Sequence, residues 1–220
     1  IGSDNVLDDP INAIQSNLMM LSKIIINNKF KNFIYISSTR LYLNSKNTNE
    51  KDAIKINTSS KNYFYNSLKA VAENFCLSQK NKNIKVIRLS NLYGLNFRKQ
   101  IYLLPSLIRN SKNNKKINIY INKKSKKNYV NINNVIDIII KIMNKSKYRL
   151  YNVASDKRLT IEKIASSIKK VTNCKIIYSN QKERFDEPKI DITRIKKEFK
   201  FKPTNNFDNF IPDIIKKYKL

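Results

Sequence analysis

Two short β-rich runs, each next to a helical pattern, constrain this chain most. Phe33-Ile34-Tyr35-Ile36 ends in Ser37-Ser38-Thr39, and the second run is Ile84 to Leu89. Both read as buried strands. Ahead of the first, Ile11, Ile14, Leu18, Leu21 and Ile25 recur at a helical period over 11–27. Asp9 and Pro10 stand where a cap and a first-turn residue belong. Between the strands, Tyr65, Leu68, Lys69, Ala72 and Phe75 recur in the same way over 63–79. Helices alternating with buried strands favour an α/β domain with a parallel sheet covered on both faces.

The rest of the chain continues the alternation. Helices are expected at Leu103 to Asn110, at Asn133 to Met143, over 161–172 with Thr160 as cap, and near 191–199 and 207–218. Strands are expected at Ile117 to Ile121, Tyr148 to Val153 and Lys175 to Tyr178. Residues 44–62 are polar and irregular. Only three long-range strands are evident, which is few for an open parallel sheet. At 220 residues the chain has room for one domain, or one with a small appendage.

Composition excludes several function classes. There is no His and only two Cys, Cys76 and Cys174, so the usual zinc ligand sets and every Ser-His or Cys-His dyad are ruled out. Two Cys cannot build a disulfide framework and fit a reducing compartment. No apolar run is long enough for a bilayer, and no signal peptide is visible, so a cytoplasmic protein without membrane partners is expected. The formal net charge of +28 invites a nucleic-acid reading. Against it, the cations are 36 Lys and only 8 Arg, spread along the chain among 33 Asn and 34 Ile. Lys, Asn and Ile have A/T-rich codons, so a genomic base bias explains a basic, solvated surface. Arg, the residue suited to bidentate phosphate and base contacts, is scarce.

One motif carries chemistry. Tyr65-Asn66-Ser67-Leu68-Lys69 puts a phenol and an ammonium one turn apart on one helix face. The ammonium favours the phenolate, and a Tyr so tuned can exchange a proton with a substrate hydroxyl near neutral pH. A nearby Ser or Thr hydroxyl can hold the same substrate oxygen. With 12 Tyr and 36 Lys such pairs also arise by chance, and Tyr42/Lys46, Tyr120/Lys124 and Tyr178/Lys182 share the spacing. Only Tyr65/Lys69 lies in a helix between two buried strands, after a Ser-Ser-Thr loop. On motif and spacing alone, a core-packing Tyr with a solvated Lys competes equally with the catalytic reading.

Order along the chain adds to this. Asn17, Phe33 to Tyr42, Tyr65 to Lys69 with Ala72-Glu73, Arg88 to Gly94, Asn128 to Val135, Tyr151 to Ser155, and Asp191 to Arg194 with Phe201-Lys202-Pro203 form seven blocks. Together they resemble, in family order, the extended short-chain dehydrogenase/reductases of the NAD-dependent epimerase/dehydratase family. The resemblance implies a Rossmann-like doubly wound parallel sheet, here lacking its N-terminal strands, with a small C-terminal α/β substrate domain. Residues 1–95 would be the C-terminal part of the NAD-binding domain. Residues 96–220 would mainly bind a nucleotide sugar, with 148–172 returning to the sheet. It implies NAD or NADP as cofactor and a homodimer formed through the helices at 11–27 and 63–79.

The family's catalytic positions fall on Ser38, Tyr65 and Lys69, with Lys69 also on the nicotinamide ribose. Asn91, Lys127 and Arg184 fall on the nucleotide side; for Arg184 a surface Arg is the equal alternative. The implied activity is that of a UDP-glucose 4-epimerase-like enzyme with Tyr65 as base. A reductase or dehydrogenase of the same family, a basic nucleic-acid binder, or a non-catalytic dimerising remnant are the alternatives.

Two departures stand out. The family's Gly-rich turn, whose backbone N–H groups hold the NAD pyrophosphate, cannot be built from Gly2 and Gly94. A truncated sequence is the simplest account, and a cofactor-free descendant the other. The family's dehydratases carry Asp-Glu after the catalytic Ser or Thr, whereas Thr39 and Arg40 stand here, so elimination lacks its acid and base.

Overall fold

A computed structural model describes residues 3–60, 63–94, 102–204 and 206–217. The chain divides into two compact units. One comprises Ile1–Ser90, Ile138–Val153 and Ile190–Phe201, the other Asn91–Asp137, Ala154–Lys189 and Lys202–Leu220. The boundary expected at 95/96 lies outside the described residues.

The first unit opens with α1 (Ser3–Asp8), α2 (Pro10–Ile14), a π-helical turn (Gln15–Met19) and α3 (Met20–Asn27). Asp9 is the cap: its carboxylate accepts from the Asn12 N–H, and Pro10 occupies the first turn. Then follow β1 (Phe33–Ser38), a 3-10 turn (Thr39–Tyr42), α4 (Phe64–Ser78) and β2 (Ile84–Leu89). A later strand, β6 (Leu150–Val153), completes a three-stranded sheet in the order β1-β2-β6, parallel throughout. Register pairs Phe33 with Ile84 and Ser38 with Leu89, so the C-terminal ends of β1 and β2 are level. Leu21, Ile25, Ala72 and Cys76 from α3 and α4 cover Tyr35, Ile84 and Val86.

β2 carries two charges yet is buried. Lys85 is 7% and Arg88 4% exposed. Arg88 lies in a bidentate pair with Glu73 of α4 and donates to the Tyr42 hydroxyl. Tyr42 in turn donates to Asn152 Oδ1 at 3.0 Å. The far end of α4 has no glycine to close it. Arg149 takes its last carbonyls, with Nη2 on Cys76 O and Nη1 on Leu77 O, both at 2.6 Å.

The second unit contains β3 (Asn91–Tyr93), α5 (Leu103–Asn113), β4 (Lys116–Ile119) and β5 (Lys126–Asn131). It continues with β7 (Arg158–Thr160), α7 (Ile161–Thr172), β8 (Lys175–Tyr178) and α9 (Phe207–Lys217). α6 (Ile132–Lys145) starts in this unit and ends in the first, to which α8 (Thr193–Phe199) belongs. β3 and β5 are parallel, β7 runs antiparallel to β5, and β4 and β8 form a parallel pair. Thr160 caps α7 through Oγ1, 3.1 Å from Lys163 N. Within 148–172, β6 pairs with β2 of the first unit. α7 instead buries Ile161, Ile164 and Ile168 in the second unit's core, with Leu104, Ile108 and Ile211.

Strands β3, β5 and β7 escape the sequence reading. β5 is Lys126-Lys127-Asn128-Tyr129-Val130-Asn131, whose Lys and Asn hide a strand in a chain rich in both. Asn128 is nonetheless 1% exposed, with Nδ2 on Ser155 O and Oδ1 on Ser155 N. Gly94 is a packing glycine: a Cβ there would lie 2.1 Å from Ile132 Cγ2.

Scarcity of glycine also leaves left-handed helix ends to other residues. Asn173 after α7 has φ 58° and Lys200 after α8 has φ 52°. A left-handed L-residue costs about 1–2 kcal/mol, partly offset by the entropy a glycine loses on folding. Lys200→Gly is therefore expected to stabilise by about 0.5–1 kcal/mol. An unchanged or lower urea midpoint would contradict this account of Lys200.

Candidate active site

Of the four Tyr-x-x-x-Lys pairs, only Tyr65/Lys69 lies on one helix, α4. Tyr42 is fully buried in the 3-10 turn, Tyr120 is outside any element and 72% exposed, and Tyr178 ends β8. Context along the sequence selects the same pair.

The N-terminal half of α4 is tied to the C-terminal end of β1 at two points. Asn66 Nδ2 donates to Arg40 O at 3.1 Å, and Lys69 Nζ donates to Ile36 O at 3.0 Å. Ser38 ends β1, is 9% exposed, and accepts from the Arg40 N–H at 3.2 Å. That bond caps the 3-10 turn and leaves the Ser38 hydroxyl proton free to donate. The two bonds from α4 thus hold the turn bearing Ser38 against the helix bearing Tyr65 and Lys69.

Tyr65 is half-buried between two cations. Lys69 Nζ lies 5.9 Å and Arg40 Cζ 5.8 Å from its ring centroid. Lys69 also sits 4.8 Å from the Tyr35 ring centroid. Burial lowers the Lys69 pKa from its ordinary value. The ring faces around it offset part of that desolvation.

Lys69 has three N–H donors, and Ile36 O takes one. The remaining donors suit a vicinal diol such as a ribose, so Tyr65 and Lys69 fit the nicotinamide-ribose end of NAD. For the pyrophosphate, Gly94 is committed to packing, and no Gly-rich turn exists in this sequence.

Asn17 sits in the π-helical turn and donates to Ala13 O at 2.8 Å.

In the second unit, Asn91 and Lys127 meet on one carboxylate that sequence reasoning missed. Glu187 Oε2 accepts from Asn91 Nδ2 and from the Asn128 N–H, both at 2.8 Å, and Oε1 lies 3.2 Å from Lys127 Nζ. The Lys127 and Glu187 side chains are 16% and 14% exposed. Phe185 stacks over Lys127, 4.9 Å from ring centroid to Nζ. Arg184 is not drawn into this cluster. It forms a bidentate pair with Asp186 at 2.9 and 2.8 Å, and Asp186 also accepts from Lys126 N at 2.9 Å. Glu187 lies 59 to 96 residues from its partners, and no local pattern marks it.

The NAD dependent epimerase/dehydratase family model matches residues 2–154. No curated protein matches the chain. Among solved structures, a UDP-N-acetylglucosamine 4-epimerase from Methanobrevibacter ruminantium M1, in complex with UDP-N-acetylmuramic acid, is similar at a TM-score of 0.79. It is 20% identical, and the match covers 98% of this chain and 73% of that one. RMD from Pseudomonas aeruginosa, complexed with NADPH, has a TM-score of 0.83 at 16% identity, covering 98% and 76%. A UDP-glucuronic acid 4-epimerase from Bacillus cereus, in complex with UDP-glucuronic acid and NAD, has 0.76 at 17%, covering 93% and 67%. These likenesses establish a Rossmann-type α/β fold.

Proposed function

The chain belongs to the NAD dependent epimerase/dehydratase family, and from that premise we propose that it is a nucleotide-sugar 4-epimerase. The observation that carries the reading is Tyr65 and Lys69 on α4, tied to the end of β1 that bears Ser38.

Tyr65, as phenolate, takes the proton from the sugar C4 hydroxyl and later returns one to it. Ser38 donates a hydrogen bond to that oxygen and fixes its position. Lys69 stabilises the phenolate and holds the nicotinamide ribose. NAD, when bound, supplies the acceptor and donor of a hydride at the same carbon. Thr39 and Arg40 put no carboxylate after Ser38, which supports a reaction without elimination.

Asn91, Lys127 and Arg184 are assigned to the nucleotide side. Phosphate oxygens would replace Glu187 on Lys127 and Asp186 on Arg184. Lys127→Ala is expected to raise KM for the nucleotide sugar about tenfold with kcat little changed, since it removes a contact made in ground and transition states alike. A fall in kcat at constant KM would remove Lys127 from this role.

The chain is also proposed to form a homodimer. Ile11 is 72%, Met20 54% and Val71 55% exposed, on the helices at 10–27 and 64–78. Replacing all three by polar residues is expected to yield a monomer by sedimentation, and unaltered mass would reject these helices as the interface.

The reading is tested by incubating the protein with NAD and unlabelled UDP-glucose, UDP-N-acetylglucosamine or UDP-glucuronate, and following the sugars by NMR. A 4-epimer supports it. Net accumulation of reduced cofactor with an oxidised sugar would replace it by a dehydrogenase.

A further inference from the structure

The Tyr65 site holds two cations and pairs neither with a carboxylate among the described residues. Lys69 has a task in the proposed reaction, and Arg40 has none. Other arginines are engaged: Arg88 by Glu73, Arg149 by backbone carbonyls, Arg158 by Glu187 O, Arg184 by Asp186, and Arg194 by Leu150 O. Arg40 differs. Its Nε is buried and has no hydrogen-bond partner.

Its place is fixed from both sides. The Arg40 N–H donates to Ser38 Oγ, and its C=O accepts from Asn66 Nδ2. The guanidinium therefore stands beside the Tyr65 ring. Two further buried polar atoms here lack partners, Ser37 Oγ on β1 and Asn66 Oδ1 on α4. Ser37 is 3% and Asn66 1% exposed. Buried polar groups in folded proteins are nearly always paired, and a charged donor left unpaired is the costliest kind. An anionic group on a ligand at Tyr65 would neutralise the positive charge that Arg40 and Lys69 place there.

We propose that Arg40 binds a carboxylate on the sugar ring, so that the preferred substrates are acidic nucleotide sugars. The proposal rests on the nucleotide-sugar reading given above. Guanidinium and carboxylate match in a bidentate fork, which an added hydroxyl cannot imitate.

Calorimetric titration of the protein with NAD present tests it. The probes are UDP-glucuronate and UDP-glucose, GDP-mannuronate and GDP-mannose, and UDP and GDP alone. The acidic member of one pair is expected to bind at least about tenfold tighter than the neutral one. Arg40→Gln should abolish that preference while leaving affinity for the bare nucleotide unchanged, and Arg40→Lys should keep part of it.

Equal affinity within each pair would overturn the proposal, as would a preference that survives Arg40→Gln. Equal weakening of sugars and bare nucleotide by Arg40→Gln would move Arg40 to the diphosphate and overturn it too. Should Arg40→Gln fail to fold, Arg40→Lys decides: a preference undiminished by the loss of the fork contradicts it. If no nucleotide or nucleotide sugar binds, the functional reading fails and this proposal with it.

Discussion

Replacement of Tyr65 by Phe is expected to lower turnover of the nucleotide sugar by about 10²–10⁴-fold, the range for loss of a general base. The change removes one oxygen and keeps the ring that Arg40 and Lys69 flank, so circular dichroism and the melting temperature should hardly move. Lys69→Met should also lower turnover, because the phenolate loses one of its two neighbouring cations. Tyr120→Phe, which removes the phenol of an exposed chance pair, should leave the rate as it is. Near-normal turnover by the folded Tyr65→Phe protein would sink the assignment of Tyr65 as base.

The largest effect on stability is expected at Glu73. Its carboxylate and the Arg88 guanidinium, 6% and 5% exposed, face each other between α4 and β2. Taking two charges out of water is costly, and the pair persists because its bidentate bonds and the Tyr42 hydroxyl satisfy the guanidinium. Glu73→Ala leaves Arg88 charged, buried and short of its main partner, at a cost of about 3–5 kcal/mol. The double variant Glu73→Met, Arg88→Met removes the uncompensated charge and should recover part of the loss. Urea titration measures both. A loss below about 1 kcal/mol for Glu73→Ala would mean that solvent reaches the pair.

The sequence was most legible where physics is local. β1 and β2 showed as β-rich runs, α4 and α7 as helical periods, and Asp9 and Thr160 as caps that the structure contains. Tyr65 and Lys69 stood out by position, as the one such pair of four inside a helical pattern between two strand runs, and α4 carries both. What stayed hidden depends on partners far along the chain. Lys126, Lys127 and Asn128 look like a solvated loop until β7 and the segment carrying Glu187 pair with them. Arg88 and Lys85 look solvent-bound until β2 is placed at the centre of its sheet. Arg40 could be read from sequence only as a missing acid. Its buried, unpaired Nε next to Tyr65 needed the packing of the 3-10 turn on α4.

The central claim is that Tyr65, Lys69 and Ser38 serve a reaction that begins by removing the hydroxyl proton and hydride at the sugar C4. Incubation of the protein and NAD with a nucleotide sugar deuterated at C4, read by NMR, tests it most directly. The account predicts a 4-epimer that keeps deuterium at C4, and no such product from Tyr65→Phe. Exchange of the C4 deuterium with solvent, or an epimer formed equally well without the Tyr65 hydroxyl, would contradict it.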